Sequence, residues 1–327
     1  MNRLVSVAPM MDCTDRHERY FLRLISKNSL LYTEMIVDEA INRGDKKKLL
    51  EFNIKEKPVA LQLGGSSPKL LAEASKVGED FGYDEINLNL GCPSRKVEKN
   101  KFGACLMKEP KLVAECLSKM KSVTKLPITI KTRIGYDDVE DYENFHKFIS
   151  IIRSTGVKTF IIHSRKAMLG KFTPKQNLNI PPLKYEYVYK LKNDFPKDEI
   201  VINGGITNIE EINDHLKKTD GVMIGRAAYH TPYLLADIEK EVFKNNNVAS
   251  RQEVIENLIP YIKDELKKGT RLNQIMRHTL GLFHGQNGAN YWKRYLSENM
   301  CVRDADIQKI DHIMDKIKLN NIEVRVG

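Results

Sequence analysis

The sequence places reactive side chains where its apolar segments end. Cys92 follows the apolar run 85–91 in a Gly-Cys-Pro turn, and Cys105 comes after a short basic stretch. A disulfide, a metal clip, core packing and a catalytic thiol all remain open for two cysteines at this spacing. The metal clip is the weakest of these, because the pair lacks C-x₂-C spacing and no second pair exists. The cysteines number five and are scattered, which favours a reducing compartment over a disulfide framework.

Other apolar runs also end in functional side chains. Lys131 and Arg133 end the run 127–133, and a lysine on a buried strand is costly unless it meets a negative charge. The ring of a reduced flavin carries such charge near N1 and O2, which gives Lys131 a role. His163 ends the next run and is interpreted as a ligand contact rather than a core histidine. Gln62 offers both a donor and an acceptor to a ring edge.

Glycines follow the last two apolar runs. Asn203 precedes Gly204 and Gly205, and Gly225 precedes Arg226. In barrels, the loops after strands 7 and 8 often bind phosphate through backbone N–H groups, which glycine lets approach closely. No G-x-G-x-x-G turn occurs, so a mononucleotide such as FMN fits better than a tightly held NAD. Plain turn glycines are the alternative.

The elements that must position these residues are eight apolar runs separated by amphipathic segments. The runs are 4–10, 30–36, 58–64, 85–91, 127–133, 159–164, 200–206 and 221–227. Near-continuous hydrophobicity alternating with helical patterns predicts parallel βαβ units, and eight such units predict an α/β fold, a (β/α)₈ TIM barrel. The rival, a doubly wound sheet, usually has fewer strands. A polar stretch at 243–253 precedes a purely helical pattern, so we expect a barrel domain over 1–242 and a helical domain over 251–327.

The amino-acid composition limits the classes of function that the protein can have. Among 327 residues, 41% are hydrophobic, yet no long apolar run or signal peptide is evident, so we expect a cytoplasmic protein without a membrane span. The net charge of +10 favours a polyanionic partner such as nucleic acid, although genome composition explains it equally well. No G-x-S-x-G elbow indicates a serine hydrolase. We expect neither a metal nor an obligate protein partner.

Eight motifs, in order, carry a family resemblance. They are APMMDCTDRHERYFLR, TEMI, LQLGGSSP, INLNLGCPSRKV with FGACLM, KTRIG, IHSRKA, INGGI and MIGRAAYHTPYLL, followed by IMRHTLGLFHGQNGANYWKRYLSE in the tail. Together they resemble the tRNA-dihydrouridine synthases, specifically their bacterial A branch. The resemblance implies an FMN-binding barrel followed by a helical tRNA-binding domain. It implies reduction of the C5–C6 double bond of uridine at positions 20 and 20a of the tRNA D-loop, with NADPH reducing the flavin.

The resemblance also implies roles for individual residues. Cys92 matches the catalytic cysteine, and Asn89 matches a residue that meets the target uridine. Hydride from flavin N5 would go to C6, and Cys92 would give a proton to C5 from the opposite face. The FMN contacts fall on Pro9, Met10, Met11, Gln62, Lys131, His163, Asn203, Gly204, Gly205, Gly225 and Arg226.

The basic residues near these motifs are candidates for tRNA contacts. They are Arg133, Arg165, Lys166, Lys171, Lys293 and Arg294. Leu178 and Asn290 depart from the A branch, which tends to carry basic residues there. One rival function is an FMN barrel reductase acting on a small pyrimidine, as in dihydroorotate chemistry. A non-catalytic tRNA-binding protein is another.

Overall fold

The computed structural model describes residues 2–301 and 307–323. Within these residues eight parallel strands form a closed barrel in chain order. The strands are β1 (Val5–Val7), β2 (Leu30–Val37), β3 (Val59–Gly64), β4 (Glu85–Leu90), β5 (Ile128–Arg133), β6 (Thr159–His163), β7 (Glu199–Asn203) and β8 (Gly221–Ile224). Pairing of β8 with β1 closes the barrel. The predicted (β/α)₈ fold is confirmed, and every predicted apolar run overlaps one strand.

Helices alternate with the strands, as the amphipathic segments predicted. They are α1 (Arg16–Ile25), α2 (Asp38–Arg43), α3 (Lys46–Leu50), α4 (Pro68–Asp80), α5 (Arg95–Lys99), α6 (Pro110–Val123), α7 (Tyr142–Arg153), α8 (Pro174–Asn177), α9 (Tyr185–Asp194) and α10 (Ile209–Leu216). Local signals set their starts. The Ser67 hydroxyl accepts from the Leu70 N–H, and Pro68 opens α4, where its missing N–H costs nothing.

The barrel interior is apolar on one side and polar on the other. A cluster of buried side chains fills the apolar part: Ala8, Leu30, Tyr32, Ala60, Ile161, Val201 and Met223. Alternate residues of β4 instead present Glu85, Asn87 and Asn89 to one face, and all three are buried. Buried polar groups require partners, so this half of the interior must be built as a hydrogen-bonded network.

After β8 the chain is helical. The helices are α11 (Arg226–His230), α12 (Leu234–Glu241), α13 (Arg251–Lys267), α14 (Leu272–Met276), α15 (Ala289–Asn299) and α16 (Gln308–Glu323). Ser250 and Glu253 form a capping box that starts α13. The purely helical pattern predicted over 251–327 is interrupted, because α14 ends at Met276 and a 3₁₀ turn follows at Arg277–Thr279.

The chain divides into two compact units whose boundary differs from the predicted 242/251. One comprises residues 1–14 and 30–225, and the other residues 15–29 and those from 226 onward. Helix α1 therefore belongs to the helical unit. In that unit the Tyr20 and Tyr261 rings stack with centroids 3.9 Å apart, and Arg16 pairs with Glu265 at 2.6 Å. Over the described ranges, no helix is both long and apolar enough to cross a membrane.

Candidate active site

The carboxyl ends of β3 to β7 bring most of the predicted site residues to one end of the barrel. The Cα registers pair Gln62 with Asn87, Asn89 with Lys131, and His163 with both Arg133 and Asn203. Parallel strands in one barrel end on the same face, so side chains distant in sequence meet there. The structure therefore assembles the strand-end residues as the sequence predicted.

Lys131 is the central cation of this face. Its ammonium donates to Asn203 Oδ1 at 3.1 Å, and among the described residues no carboxylate pairs with it. Although part of the side chain remains open to solvent, desolvation and then the charge of Arg133 lower the pKa of Lys131 to about 7. A cation in this setting is stabilised by any anionic group that enters the mouth of the barrel.

Cys92 lies just beyond β4 and has the properties of a protonated thiol. Burial raises its pKa above the usual 9.0, against the opposing effects of the Ser94 N–H and the charges of Arg133 and Lys131. The thiol therefore stays protonated at neutral pH and can give up a proton. Cys92 and Cys105 are both unpaired, so the disulfide alternative is wrong.

Asn89 fixes the turn that carries Cys92. Its Oδ1 accepts from the Gly91 N–H at 3.1 Å and the Cys92 N–H at 2.9 Å. Its Nδ2 donates to Gln62 Oε1 at 2.8 Å. Because an amide has two N–H donors, Asn89 keeps one for another acceptor.

Arg133 holds the same turn from its other side. Its guanidinium is 4% exposed and donates to the carbonyls of Gly91 at 2.9 Å, Lys166 at 3.0 Å and Asn177 at 3.2 Å. Burial lowers its pKa to about 10, so Arg133 remains charged at neutral pH. These bonds give Arg133 a structural role between two loops, whereas its predicted contact with tRNA stays a prediction.

The other residues predicted to contact tRNA lie in different settings. Lys166 pairs with Glu140 at 3.2 Å and is only 17% exposed, and Arg165 donates to the Pro181 carbonyl. Lys171 is exposed. In the helical unit, Lys293 and Arg294 are exposed on α15. Exposed cations suit phosphate contacts better than paired ones, so Lys171, Lys293 and Arg294 are the stronger candidates.

The glycines after β7 and the residues after β1 form separate parts of the same face. Gly204 and Gly205 have φ of 116° and 76°, and a Cβ on Gly205 would lie 2.7 Å from Leu183. Only glycine fits both restrictions. Gly225 is partly exposed, and Arg226 opens α11. After β1, Pro9 and Met10 are partly buried, whereas Met11 is 56% exposed.

The basic segment after Cys92 folds back onto it. The basic stretch between Cys92 and Cys105 forms α5 with Val97 buried, and a 3₁₀ turn (Gly103–Lys108) follows. The Ala104 N–H donates to the Cys92 carbonyl at 3.0 Å. Cys105 lies within this turn and donates its thiol to the Phe102 carbonyl at 3.1 Å. It therefore packs within its own segment.

Sequence reasoning missed two polar residues of the interior, Glu85 and Thr129. Glu85, Asn87 and Thr129 are fully buried and linked to Asn89 through hydrogen bonds. The signal was present, since polar residues at 85, 87 and 89 share one face of a strand that reads as buried. As for metals, in the part of the chain that the structure describes no group of three or more His, Cys, Asp or Glu could hold an ion.

A closed barrel with an amide, a thiol and a lysine at its strand ends defines a (β/α)₈-barrel protein whose candidate site lies at the carboxyl face. The chain belongs to the dihydrouridine synthase family, because the model of that family, "Dihydrouridine synthase (Dus)", matches residues 6–318.

Similar proteins agree with this membership. The chain is 53% identical to the tRNA-dihydrouridine(20/20a) synthase of Synechocystis sp., over 92% of this chain and 90% of that protein. It is 51% identical to those of Shewanella oneidensis (95% and 92% covered) and Escherichia coli (94% and 90%). A 2-naphthoyl-CoA reductase structure is similar in fold alone, with a TM-score of 0.53, 12% identity, and 74% and 50% coverage.

Proposed function

We propose that this protein reduces the C5–C6 double bond of uridine to dihydrouridine in the D-loop of tRNA, at positions 20 and 20a. FMN is the bound cofactor and NADPH the reductant. The relatives at about 50% identity carry the corresponding name, tRNA-dihydrouridine(20/20a) synthase. We also propose a cytoplasmic location, which a tRNA substrate supports.

One observation carries the proposal: a partly buried thiol with a raised pKa lies beside Asn89 and near the Lys131 ammonium. Saturating a conjugated double bond requires a hydride on one carbon and a proton on the other. A thiol whose pKa lies above 9.0 holds its proton at neutral pH, as a general acid must. A cysteine nucleophile would instead need a lowered pKa.

The chemistry of the donor set fits FMN. Lys131 supplies a cation without a carboxylate partner in the described residues, next to the amide of Asn203. The positive-φ glycines after β7 form a turn whose backbone can approach a phosphate. The remaining FMN contacts are proposed at Pro9, Met10, Met11, Gln62, His163, Gly225 and Arg226.

When bound, the reduced flavin supplies the hydride that C6 of the uracil receives. The protein then has three tasks. Lys131 holds the cofactor and balances its charge, and Asn89 donates its remaining N–H to a carbonyl oxygen of the base. The Cys92 thiol gives its proton to C5, and the thiolate left behind is stabilised by the charges of Arg133 and Lys131 before solvent reprotonates it.

The target base must leave its stack to reach this site, at a cost of a few kcal/mol. Phosphate contacts offset that cost, and the net charge of +10 supports them. Lys171, Lys293 and Arg294 are the proposed contacts, since their side chains are exposed. Arg133, Arg165 and Lys166 are also proposed to contact tRNA. They are less available for phosphate, because each already binds a carbonyl or a carboxylate of the protein.

The test compares Cys92→Ala with Cys105→Ala. Both cysteines lie on the segment after β4, but only Cys92 adjoins Asn89. The proteins are reconstituted with FMN and given NADPH and unmodified tRNA, and dihydrouridine is mapped by mass spectrometry. We expect Cys92→Ala to lower turnover by about 100-fold or more while NADPH still reduces the flavin. Cys105→Ala should remain within about threefold of wild type.

Three results would contradict the proposal. Near-normal turnover by Cys92→Ala would remove the thiol from the reaction. Reduction of free uridine monophosphate or orotate as rapidly as tRNA would favour the small-pyrimidine reductase instead. Wild-type protein that leaves positions 20 and 20a unmodified would exclude the activity itself.

A further inference from the structure

The polar half of the barrel interior forms one continuous chain of hydrogen bonds. Asn89 Nδ2 donates to Gln62 Oε1, Gln62 Nε2 to Asn87 Oδ1, and Asn87 Nδ2 to Thr129 Oγ1, each at 2.8 Å. The Thr129 hydroxyl donates to Glu85 Oε1 at 2.5 Å. We call these five residues the amide chain. It runs from the turn that carries Cys92 down to Glu85 at the start of β4.

Every bond in the amide chain points the same way. Glu85 is fully buried and pairs with the Arg3 guanidinium at 2.6 Å, and it accepts from the Tyr32 hydroxyl at 2.7 Å. An ionised carboxylate only accepts, so the Thr129 hydroxyl must donate to it. The Thr129 oxygen is then left to accept from Asn87.

The direction propagates through the amides. Since Asn87 gives its N–H to Thr129, its oxygen faces Gln62, and the oxygen of Gln62 in turn faces Asn89. Asn89 therefore directs its oxygen at the Gly91 and Cys92 N–H groups. Rotating one amide by half a turn would set N–H against N–H and leave buried donors without partners, at about 1–3 kcal/mol each.

We propose that Glu85 and Thr129 are positioning residues for Cys92. The carboxylate at one end of the barrel orients three amides in series, and the last amide holds the Cys92 turn at the other end. Arg133 restrains the same turn through the Gly91 carbonyl, but that bond does not set the orientation of Asn89. Loss of the amide chain should therefore misplace the Cys92 thiol without unfolding the barrel. The kinetic consequence rests on the proposed function, whereas the geometry does not.

Thr129 is the link that can be removed most cleanly. Thr129→Val keeps the shape and removes the hydroxyl, whereas Thr129→Ser keeps the hydroxyl. Thr159 on β6 provides a matched control, because its hydroxyl donates to Glu199 Oε2 at 2.9 Å and Glu199 also pairs with Arg3. Thr159→Val thus removes a threonine–carboxylate bond from the barrel without touching the amide chain.

The first readout is kinetic. After NADPH has reduced the flavin, mixing with saturating tRNA gives the rate of flavin reoxidation. We expect Thr129→Val to slow this step about 10- to 100-fold, the scale of a roughly 1 Å misplacement, with tRNA affinity and flavin reduction within about threefold of wild type. Thr129→Ser and Thr159→Val should both behave as wild type. If Thr129 had a purely structural role, Thr129→Val would lower the rates of flavin reduction and flavin reoxidation together.

The second readout needs neither tRNA nor flavin. Alkylation of Cys92 by iodoacetamide, followed by peptide mass spectrometry, should be several-fold faster in Thr129→Val than in the other proteins, because the turn is less restrained. Should wild-type protein not be reoxidised by tRNA, the proposed function fails while this readout still tests the amide chain.

Wild-type reoxidation together with wild-type alkylation in Thr129→Val would overturn the proposal. Thermal unfolding establishes first that each variant is folded. Should Thr129→Val not fold, Asn87→Leu interrupts the amide chain at the adjacent hydrogen bond. It is expected to give the same slower reoxidation and faster alkylation.

Discussion

Lys131 has no carboxylate partner among the residues that the structure describes, so it should destabilise the protein until an anion binds. Burial lowers the pKa of Lys131 to about 7, below the 10.5 of an unperturbed lysine. Between these two pH values the unfolded chain binds more protons than the folded one. The free energy of unfolding of the apoprotein therefore rises with pH through this window, as far as Lys131 determines it.

Lys131→Met should remove this penalty. We expect the apoprotein variant to be more stable than wild type at pH 7 by on the order of 2–4 kcal/mol, with the advantage fading as the pH approaches 10.5. The same variant should bind FMN more weakly, because it lacks the cation. Urea unfolding between pH 6 and 10 and flavin titration measure both effects.

Lys217→Met, at the exposed residue that follows α10, is the control and should leave flavin affinity unchanged. A Lys131→Met protein less stable than wild type throughout the pH range would contradict the argument.

Single residues differ in how far sequence could predict them. Lys131 and Cys92 were found because a charged or reactive group at the end of an apolar run is informative by itself. The sequence indicates Arg133 but favours a tRNA contact for it, because its three carbonyl partners lie 33 to 44 residues away along the chain. Thr129 was passed over, because a threonine on a strand is ordinary until its partners are known.

At the scale of elements, the segment between β4 and α6 determines how Cys92 is enclosed. Gly103 has φ of 75°, and a Cβ there would lie 2.5 Å from Val97 Cγ1 and 2.7 Å from the Cys92 carbonyl oxygen. Glycine is thus required both by the backbone conformation and by close contact with the Cys92 turn.

Gly103→Ala should displace the 3₁₀ turn from Cys92. We expect slower reduction of tRNA and a loss of about 1–3 kcal/mol in stability, from strain and from the displaced contact. Gly82→Ala is matched in φ, at 88°, but its Cβ would meet nothing within 4 Å. It should lose only about 1–2 kcal/mol and keep full turnover. Equal turnover in the two variants, measured by dihydrouridine formation, would argue against this contact.

The strands were predictable because parallel barrel strands are covered on both faces and appear as continuous apolar runs. The segment 95–101 was less predictable. Its basic composition gives no sign of a regular element, whereas one buried residue, Val97, and the contact of Gly103 with Cys92 order it as α5 and a turn. A single apolar residue among lysines is a weak signal in sequence.

For the whole molecule, the least predictable feature is the place of α1. Sequence order puts α1 between β1 and β2, and hence in the barrel domain predicted over 1–242. Its contacts instead lie with the helical unit, where Asp15 pairs with Arg277 at 2.7 Å and His17 bonds the Tyr261 hydroxyl at 2.7 Å. Pairs between residues about 250 positions apart leave no recognisable pattern in either local stretch of sequence. The division at 242/251 stays a prediction.

A fragment of residues 1–242 tests that division. It retains α1 but loses Tyr261, Glu265 and Arg277, so the Tyr20 ring would be exposed and Arg16 would lose its ion pair. A buried aromatic contact is worth about 3–5 kcal/mol when removed, which is a large part of a typical domain's stability. We expect the fragment to unfold at clearly lower temperature than the full chain and to aggregate.

A second fragment, residues 1–301, is the control for that experiment. It keeps every α1 contact named above and should remain closer to the full chain in both thermal unfolding and solubility. If the 1–242 fragment instead unfolds at the temperature of the full chain, the contacts of α1 with the helical unit do not contribute to stability. The division predicted from the sequence would then describe the folding units better than the contacts do.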